Sequence, residues 1–196
     1  METMTRRTYQ LGRRAESAEE TRRRLVQAAF ELHVEQGVAA TTMKQIADRA
    51  GVGVGTVYHH FQTIDDTVQA CGQMVTATYP SPTEGLFAGV PTMKERLARL
   101  ARALFAWYDE VALDVIRADR DRVAIIRKYV EDEEAHRTEL ARAALAPFAV
   151  DRDLILVSAA LLDVGTCRSL QRVGLTRDQA ADTIADVIHA RLTRKG

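Results

Sequence analysis

Residues 42–61, TMKQIADRAGVGVGTVYHHF, hold the densest group of side chains suited to contacting a polyanion. Thr56, Tyr58, His59 and His60 crowd together there. Their hydroxyls and imidazoles are short or planar donors of the kind that meets phosphate oxygens and base edges. Other constellations are thinner. Gly51, Gly53 and Gly55 make a GxGxG pattern, but a helical rather than a strand-like segment precedes them, which argues against a phosphate-cradling nucleotide loop. His59 and His60 are adjacent, so on a helix they diverge by about 100° and do not converge on a metal. Glu133 and His136 stand at i, i+3 within the run Glu131, Asp132, Glu133, Glu134; that run reads as a solvated helix face or corner, with a metal-binding pair as the alternative. Cys71 and Cys167 cannot build a disulfide framework, and no Cys/His cluster has zinc spacing. No Ser/His/Asp, Cys/His or paired-carboxylate arrangement offers a nucleophile or general base. Neither a catalytic site nor a metal or cofactor is expected.

The elements that must carry these residues are helices. A Ser or Thr followed three residues later by Glu or Gln satisfies two orphan backbone donors at a helix start. The pattern occurs at Ser17 and Glu20, Thr42 and Gln45, Thr92 and Glu95, and Thr176 and Gln179, with Thr63 and Asp66 as a weaker variant. Each precedes apolar residues at helical spacing. Leu25, Ala28, Ala29 and Leu32 mark the first such stripe, Leu97, Leu100, Leu104 and Tyr108 a later one. Residues 79–91 carry Pro80, Pro82, Pro91, Gly85 and Gly89 and read as a loop; Ser81 and Glu84 could start a single turn in it. Asp151 caps a helix with Leu154, Val157, Leu161 and Val164 on its inward stripe, ended by Gly174. The last helix shows Ala180, Ile184, Val187 and Ile188. No segment alternates with period two, so the fold class is all-α. Within residues 42–61, Met43, Ile46, Ala47, Val52 and Val57 pin two short helices at their crossing, and Gly51 supplies the tight turn. Such a helix-turn-helix presents its second helix to the roughly 12 Å major groove of B-DNA.

Composition narrows the classes further. The chain has 196 residues with 27 basic and 27 acidic side chains, so no global field announces a partner. Arg6, Arg7, Arg13 and Arg14 against Glu2 make the first residues locally basic. Arg13, Arg14 and Lys44 are the plausible cationic phosphate partners, with Arg6 and Arg7 behind them. The longest apolar stretch, 154–162, is far short of a membrane span. The N-terminus has no apolar segment behind its arginines and does not read as a secretory signal. A cytoplasmic protein with no membrane partner is expected, its thiols reduced.

Residues 41–61, preceded by LVQAAFELHVEQG, resemble the TT-x-x-x-IA-x-x-AGVS-x-GT-x-Y-x-x-F signature of the bacterial tetracycline-repressor-like (TetR/AcrR) transcription regulators. The resemblance implies a helix-turn-helix DNA-binding domain over 1–62 with a basic N-terminal arm. It further implies a helical effector-binding and dimerisation domain over 63–196. By the same token Thr42, Thr56, Tyr58 and His60 would contact phosphates, while Val54, Gly55 and His59 would lie nearest the bases. The chain departs from the signature at four places. Gly53 stands where a capping Ser is usual, Val54 and Ile64 where Lys is frequent, and His33 where a core Phe is usual. An effector cavity is expected near Met74, Phe105, Trp107, Tyr108, Arg127 and His136. The three aromatics read either as core or as the wall of a ligand cage. Dimerisation is expected through Val157, Leu161, Val164, Ile184, Val187 and Ile188. The implied function is that of a ligand-responsive regulator, a repressor released from a palindromic double-stranded operator by a small-molecule effector. An all-α interaction module or enzyme without DNA binding is the alternative.

Overall fold

The computed structural model describes the backbone of residues 2–193 and the side chains of residues 16–191. The fold is all-α, with no strand among the described residues. The chain divides into two compact units, Met1–Ala77 and Thr78–Gly196.

The first unit holds α1 (Glu2–Gln36), α2 (Met43–Ala50), α3 (Val54–His60) and α4 (Ile64–Thr78). Its core joins Leu25, Ala29 and Leu32 of α1 to Met43, Ile46 and Ala47 of α2, Val57 of α3, Phe61, and Ala70 and Cys71 of α4. Two sequence expectations change here. Ser17 lies inside α1, its carbonyl accepting the Thr21 hydroxyl at 2.8 Å, so Ser17 and Glu20 do not start a helix. The residues ahead of Ser17 include four Arg, two Glu and two Met, which favour helix, and no proline interrupts them. The first unit ends at Ala77, one residue before α4 does, rather than at residue 62, and Ala70 and Cys71 belong to the first core. The Cys71 thiol donates to the Val26 carbonyl at 3.5 Å, and burial pushes its pKa up to about 12, which leaves it an unreactive thiol.

The second unit holds α5 (Met93–Glu110), α6 (Leu113–Arg117), α7 (Ala124–Leu145), α8 (Arg152–Leu161), α9 (Val164–Arg172) and α10 (Arg177–Thr193), with 3-10 turns at Glu84–Phe87 and Ala146–Phe148. α10 lies antiparallel along α5, as the ion pairs Lys94–Asp186 at 2.8 Å, Arg102–Asp182 at 2.6 Å and Arg177–Asp109 at 3.3 Å define. Between and just beyond those pairs α10 buries Ala180, Ala181, Ile184, Ala185 and Ile188. Small residues at 180, 181 and 185 let the two helices approach closely. Ile184 and Ile188, expected at a dimer face, are therefore protomer core. Val164 is core too.

The helix expected to run from Asp151 to Gly174 is broken at Leu162. Asp151 caps α8 through the Leu154 N–H at 2.8 Å, and Asp163 caps α9 through the Gly165 N–H at 2.7 Å. The inward face of α8 is Leu154, Ile155, Ser158 and Ala159, continued by Leu162, and not the 154, 157, 161, 164 stripe. Val157 points outward, 49% exposed.

A charged network crosses the interior at this break. Arg137 meets both Glu133 oxygens at 3.2 Å and Asp163 at 2.9 Å; Arg117 binds Asp163 and, at 2.9 Å, Glu134. The Tyr108 hydroxyl stands 3.0 Å from the Leu162 carbonyl and 3.1 Å from Glu133. Burial raises the Glu133 pKa, and the Arg137 guanidinium and the Tyr108 hydroxyl offset this only in part. Burial acts the same way on Asp163, but Arg117 and the Gly165 N–H outweigh it and hold that carboxyl low.

Candidate nucleic-acid interface

The helix-turn-helix is built as its local chemistry dictates. Thr42 starts α2 with a full capping box: its hydroxyl accepts the Gln45 N–H at 3.2 Å, and Gln45 Oε1 accepts the Thr42 N–H at 2.9 Å. Gly51 ends α2 in the left-handed region, φ 67, where a side chain would be strained. The Val52 N–H then returns to the Ala47 carbonyl at 3.0 Å. Of the expected pins, Met43, Ile46, Ala47 and Val57 are buried, and Val52 packs partly buried on the same core. α3 begins at Gly53 without a side-chain cap, the Thr56 N–H bonding the Gly53 carbonyl at 2.9 Å. Its last turn is held from below by buried Phe61, over whose ring the Arg22 guanidinium lies 5.2 Å from the centroid.

Only Val57 of α3 is buried. Val54, Gly55, Tyr58 and His59 are exposed, with Thr56 and His60 half-exposed. All six expected contact residues of α3 thus have access to a partner. Burial, then the proximity of His59 and Arg22, holds His60 below the ordinary imidazole pKa, so at neutral pH it offers a neutral ring. α4 starts at a second box. Asp66 Oδ2 accepts the N–H groups of Gln62 at 2.9 Å and Thr63 at 2.8 Å, and Thr63 Oγ1 accepts the Asp66 N–H at 3.2 Å. The Thr63 N–H leads the causes that lower the Asp66 pKa. Ile64 packs partly buried against the core.

The described cations of this unit are already engaged. Lys44 pairs with Asp48 at 2.8 Å, Arg49 with Glu35 at 2.7 Å and Glu31 at 3.3 Å, and Arg23 with Glu20. Arg24 donates to the Ala50 carbonyl at the end of α2. Sequence reasoning did not assign roles to Arg24 and Arg49. Arg49 carries the signal of a cation in the last turn of a helix, whereas Arg24 reaches the Ala50 carbonyl from 26 residues away and has no local signal. Arg13 and Arg14 lie outside the residues whose side chains are described.

The residues expected around an effector do not share one environment. Phe105 and Tyr108 are fully buried. Trp107 is half-buried and donates its indole N–H to the Tyr79 carbonyl at 3.0 Å. Arg127 is on the surface, bonding the Arg120 and Asp121 carbonyls at 3.4 and 3.5 Å, and Met74 packs on the first unit's core. His136 donates from Nε2 to the Pro82 carbonyl at 2.9 Å, so it and Glu133 are spent on different partners. The run around Glu133 is not wholly a solvated face: Glu131 and Asp132 are exposed, but Glu133 is buried. The buried cation is Arg137, which sequence reasoning missed. Its signal was its place on the stripe Ile126, Val130, Glu133, Arg137, Leu140, Ala144.

Comparison with known proteins converges on the same segment. The sequence profile of bacterial regulatory proteins, tetR family, matches residues 25–71. The HTH-type transcriptional regulator SrpR of Pseudomonas putida is 50% identical over 56 residues, a match spanning 29% of this chain and only 26% of SrpR. The fold as a whole is similar to the multidrug binding protein EbrR complexed with imidazole, with TM-score 0.58, 21% identity, and coverage of 86% of this chain and 89% of EbrR. It is equally similar to NalD, the secondary repressor of the MexAB-OprM multidrug efflux pump in Pseudomonas aeruginosa, with TM-score 0.59, 21% identity, and coverage of 89% and 96%. Residues 25–71 are thus similar to the bacterial regulatory proteins of the tetR family, and the chain spans about a quarter of the length of SrpR.

Proposed function

We propose that the chain is a DNA-binding transcription regulator, a repressor that works in the cytoplasm as a two-fold dimer and leaves a palindromic operator when a small molecule binds its second unit. The observation that carries this reading is the helix-turn-helix itself: α3 is anchored by Val57 alone and turns Val54, Thr56, Tyr58, His59 and His60 outward. α3 enters the major groove, with Thr42, Thr56, Tyr58 and His60 on phosphates and Val54, Gly55 and His59 at the bases. Arg13 and Arg14, with Arg6 and Arg7 behind them, add charge along the backbone, while Lys44 keeps its partner Asp48.

The dimer forms through outward faces of α8 and α10. Leu156, Val157 and Val187 are exposed apolar side chains there, with Leu161 half-buried beside them. Two-fold pairing gives each recognition helix its own half-site. The effector binds in the second unit near Trp107. EbrR, with a similar fold, is described with imidazole bound. A ligand that prefers one arrangement of the helices shifts the spacing of the recognition helices and so weakens operator affinity. The test is selection of the full chain against random double-stranded DNA, followed by titration of the enriched duplex. Enrichment of a palindrome supports the reading. No enrichment at low salt leaves a helical interaction module in its place. Trp107 fluorescence under a panel of small molecules reads the effector arm separately.

A further inference from the structure

Three features of α3 point the same way. Among the described residues of the first unit, its exposed large hydrophobic side chains are Val54, 44% exposed, and Tyr58, 53% exposed. They stand one turn apart, on one face of one helix. Second, α3 reads VGTVYHH, with no Arg, Lys, Asn or Gln. The bidentate contacts that identify guanine or adenine are therefore absent from it. Third, Val54 is flanked by glycines that the protomer does not require. A Cβ built on Gly53 or Gly55 meets nothing within 4 Å, and neither residue has a positive φ. Gly53 serves as the cap of α3, where glycine is accepted, but Gly55 lies inside the helix, where glycine costs stability relative to alanine, and its bare backbone leaves room for a partner beside Val54. Gly51 is different, since its φ of 67 demands glycine.

We infer that α3 identifies its half-site through an apolar contact: Val54 seats against the 5-methyl group of a thymine in the major groove, and Gly53 and Gly55 let the helix backbone come close enough for it to do so. The thymine methyl is the apolar mark that the major groove displays. The inference rests on the DNA-binding reading above. It adds the chemistry by which sequence is read.

The experiment takes the duplex enriched from random DNA by the full chain and replaces each thymine, singly and in both half-sites, with deoxyuridine. That change removes the methyl and leaves the hydrogen-bonding edge intact. One position per half-site should lose about fourfold in affinity, the worth of one buried methyl group. In the Val54→Ala protein the same replacement should cost less than about twofold, by the same measure, while other positions respond as in the parent. Val54 is exposed, so the variant should melt as the parent does, and circular dichroism checks this. Enrichment without a methyl-sensitive position overturns the inference alone. So does a deoxyuridine penalty that Val54→Ala leaves unchanged. A chain that enriches no sequence overturns the DNA-binding reading and this inference with it.

Discussion

Tyr58 and Thr56 carry donors on a helix whose only buried member is Val57. Removing those hydroxyls should therefore change binding and leave folding alone. Tyr58→Phe and Thr56→Val should each cost about 1 kcal/mol, close to fivefold, in operator affinity. Their melting temperatures should match the parent's; unchanged affinity in both would place α3 off the DNA. Gly55→Ala separates stability from function more sharply. The added methyl meets no protein atom within 4 Å, and alanine favours helix by up to about 1 kcal/mol. The variant should melt at or above the parent's temperature while binding DNA more weakly. Tighter or equal binding, read by the same titration, would show that nothing approaches that backbone. The identity of these outward residues was legible in the sequence, because Val57 is the apolar pin of α3 and the polar types around it, Thr56, Tyr58, His59 and His60, are left to face outward.

α7 passes two ionisable side chains, Glu133 and Arg137, through its apolar stripe, and their partners arrive from α5 and the start of α9, with Arg117 of α6 joining through Asp163 and Glu134. The network satisfies the carbonyl that the break after α8 leaves at Leu162 and holds Asp163 where it caps α9. Its charges respond to pH with opposite signs. The folded-state pKa of Glu133 lies above its ordinary value of 4.5, so this group favours the folded state below that value and loses the contribution as pH rises through the folded pKa. Asp163 is held low and contributes above its ordinary value of 3.8, losing this as pH falls through its folded pKa. Glu133→Gln cannot titrate. Its stability relative to the parent should therefore improve between mildly acidic and neutral pH, as urea midpoints at the two values would read. A pH-independent difference would mean that Glu133 titrates alike in folded and unfolded chains.

Charge and assembly belong to the whole molecule. Because Lys44, Arg22, Arg23, Arg24 and Arg49 all have partners within the first unit, counterion release should rest mainly on Arg6, Arg7, Arg13 and Arg14. Four phosphate contacts per protomer give a dimer a log–log salt slope of roughly −7. Arg13→Ala with Arg14→Ala should flatten it by roughly 4, whereas Lys44→Ala should leave it unchanged. A slope that follows Lys44 instead would show that the Asp48 pair opens on DNA. For the dimer, Val157→Glu with Val187→Glu places charge on two outward positions, each 49% exposed in the protomer. The pair should yield folded monomers in light scattering and lose more than about tenfold in operator affinity, over 1.4 kcal/mol. Ile184→Glu, buried against α5, should instead unfold the chain and serves as the contrast.

Most of the helices, their caps and the glycine turn at Gly51 were determined by the sequence alone, since each depends on relations within about one turn. So was the set of residues that α3 turns outward. What the tertiary structure decided was which apolar face of a helix is the inner one. The segment LILVSAALL of α8 and Leu162 is apolar on nearly every side, so periodicity allows both the 154, 157, 161 stripe and the 154, 155, 158 stripe. The neighbouring helices chose the second and left Val157 outside. α10 likewise found its partner in α5, whose paired residues lie some seventy to ninety positions earlier in the chain, and so Ile184 and Ile188 became core. Glu133 and Arg137 became interior because Asp163 and Tyr108 converge on them from distant parts of the chain. A local pattern shows that a helix has a face to bury, but the surface that covers it arrives through the fold.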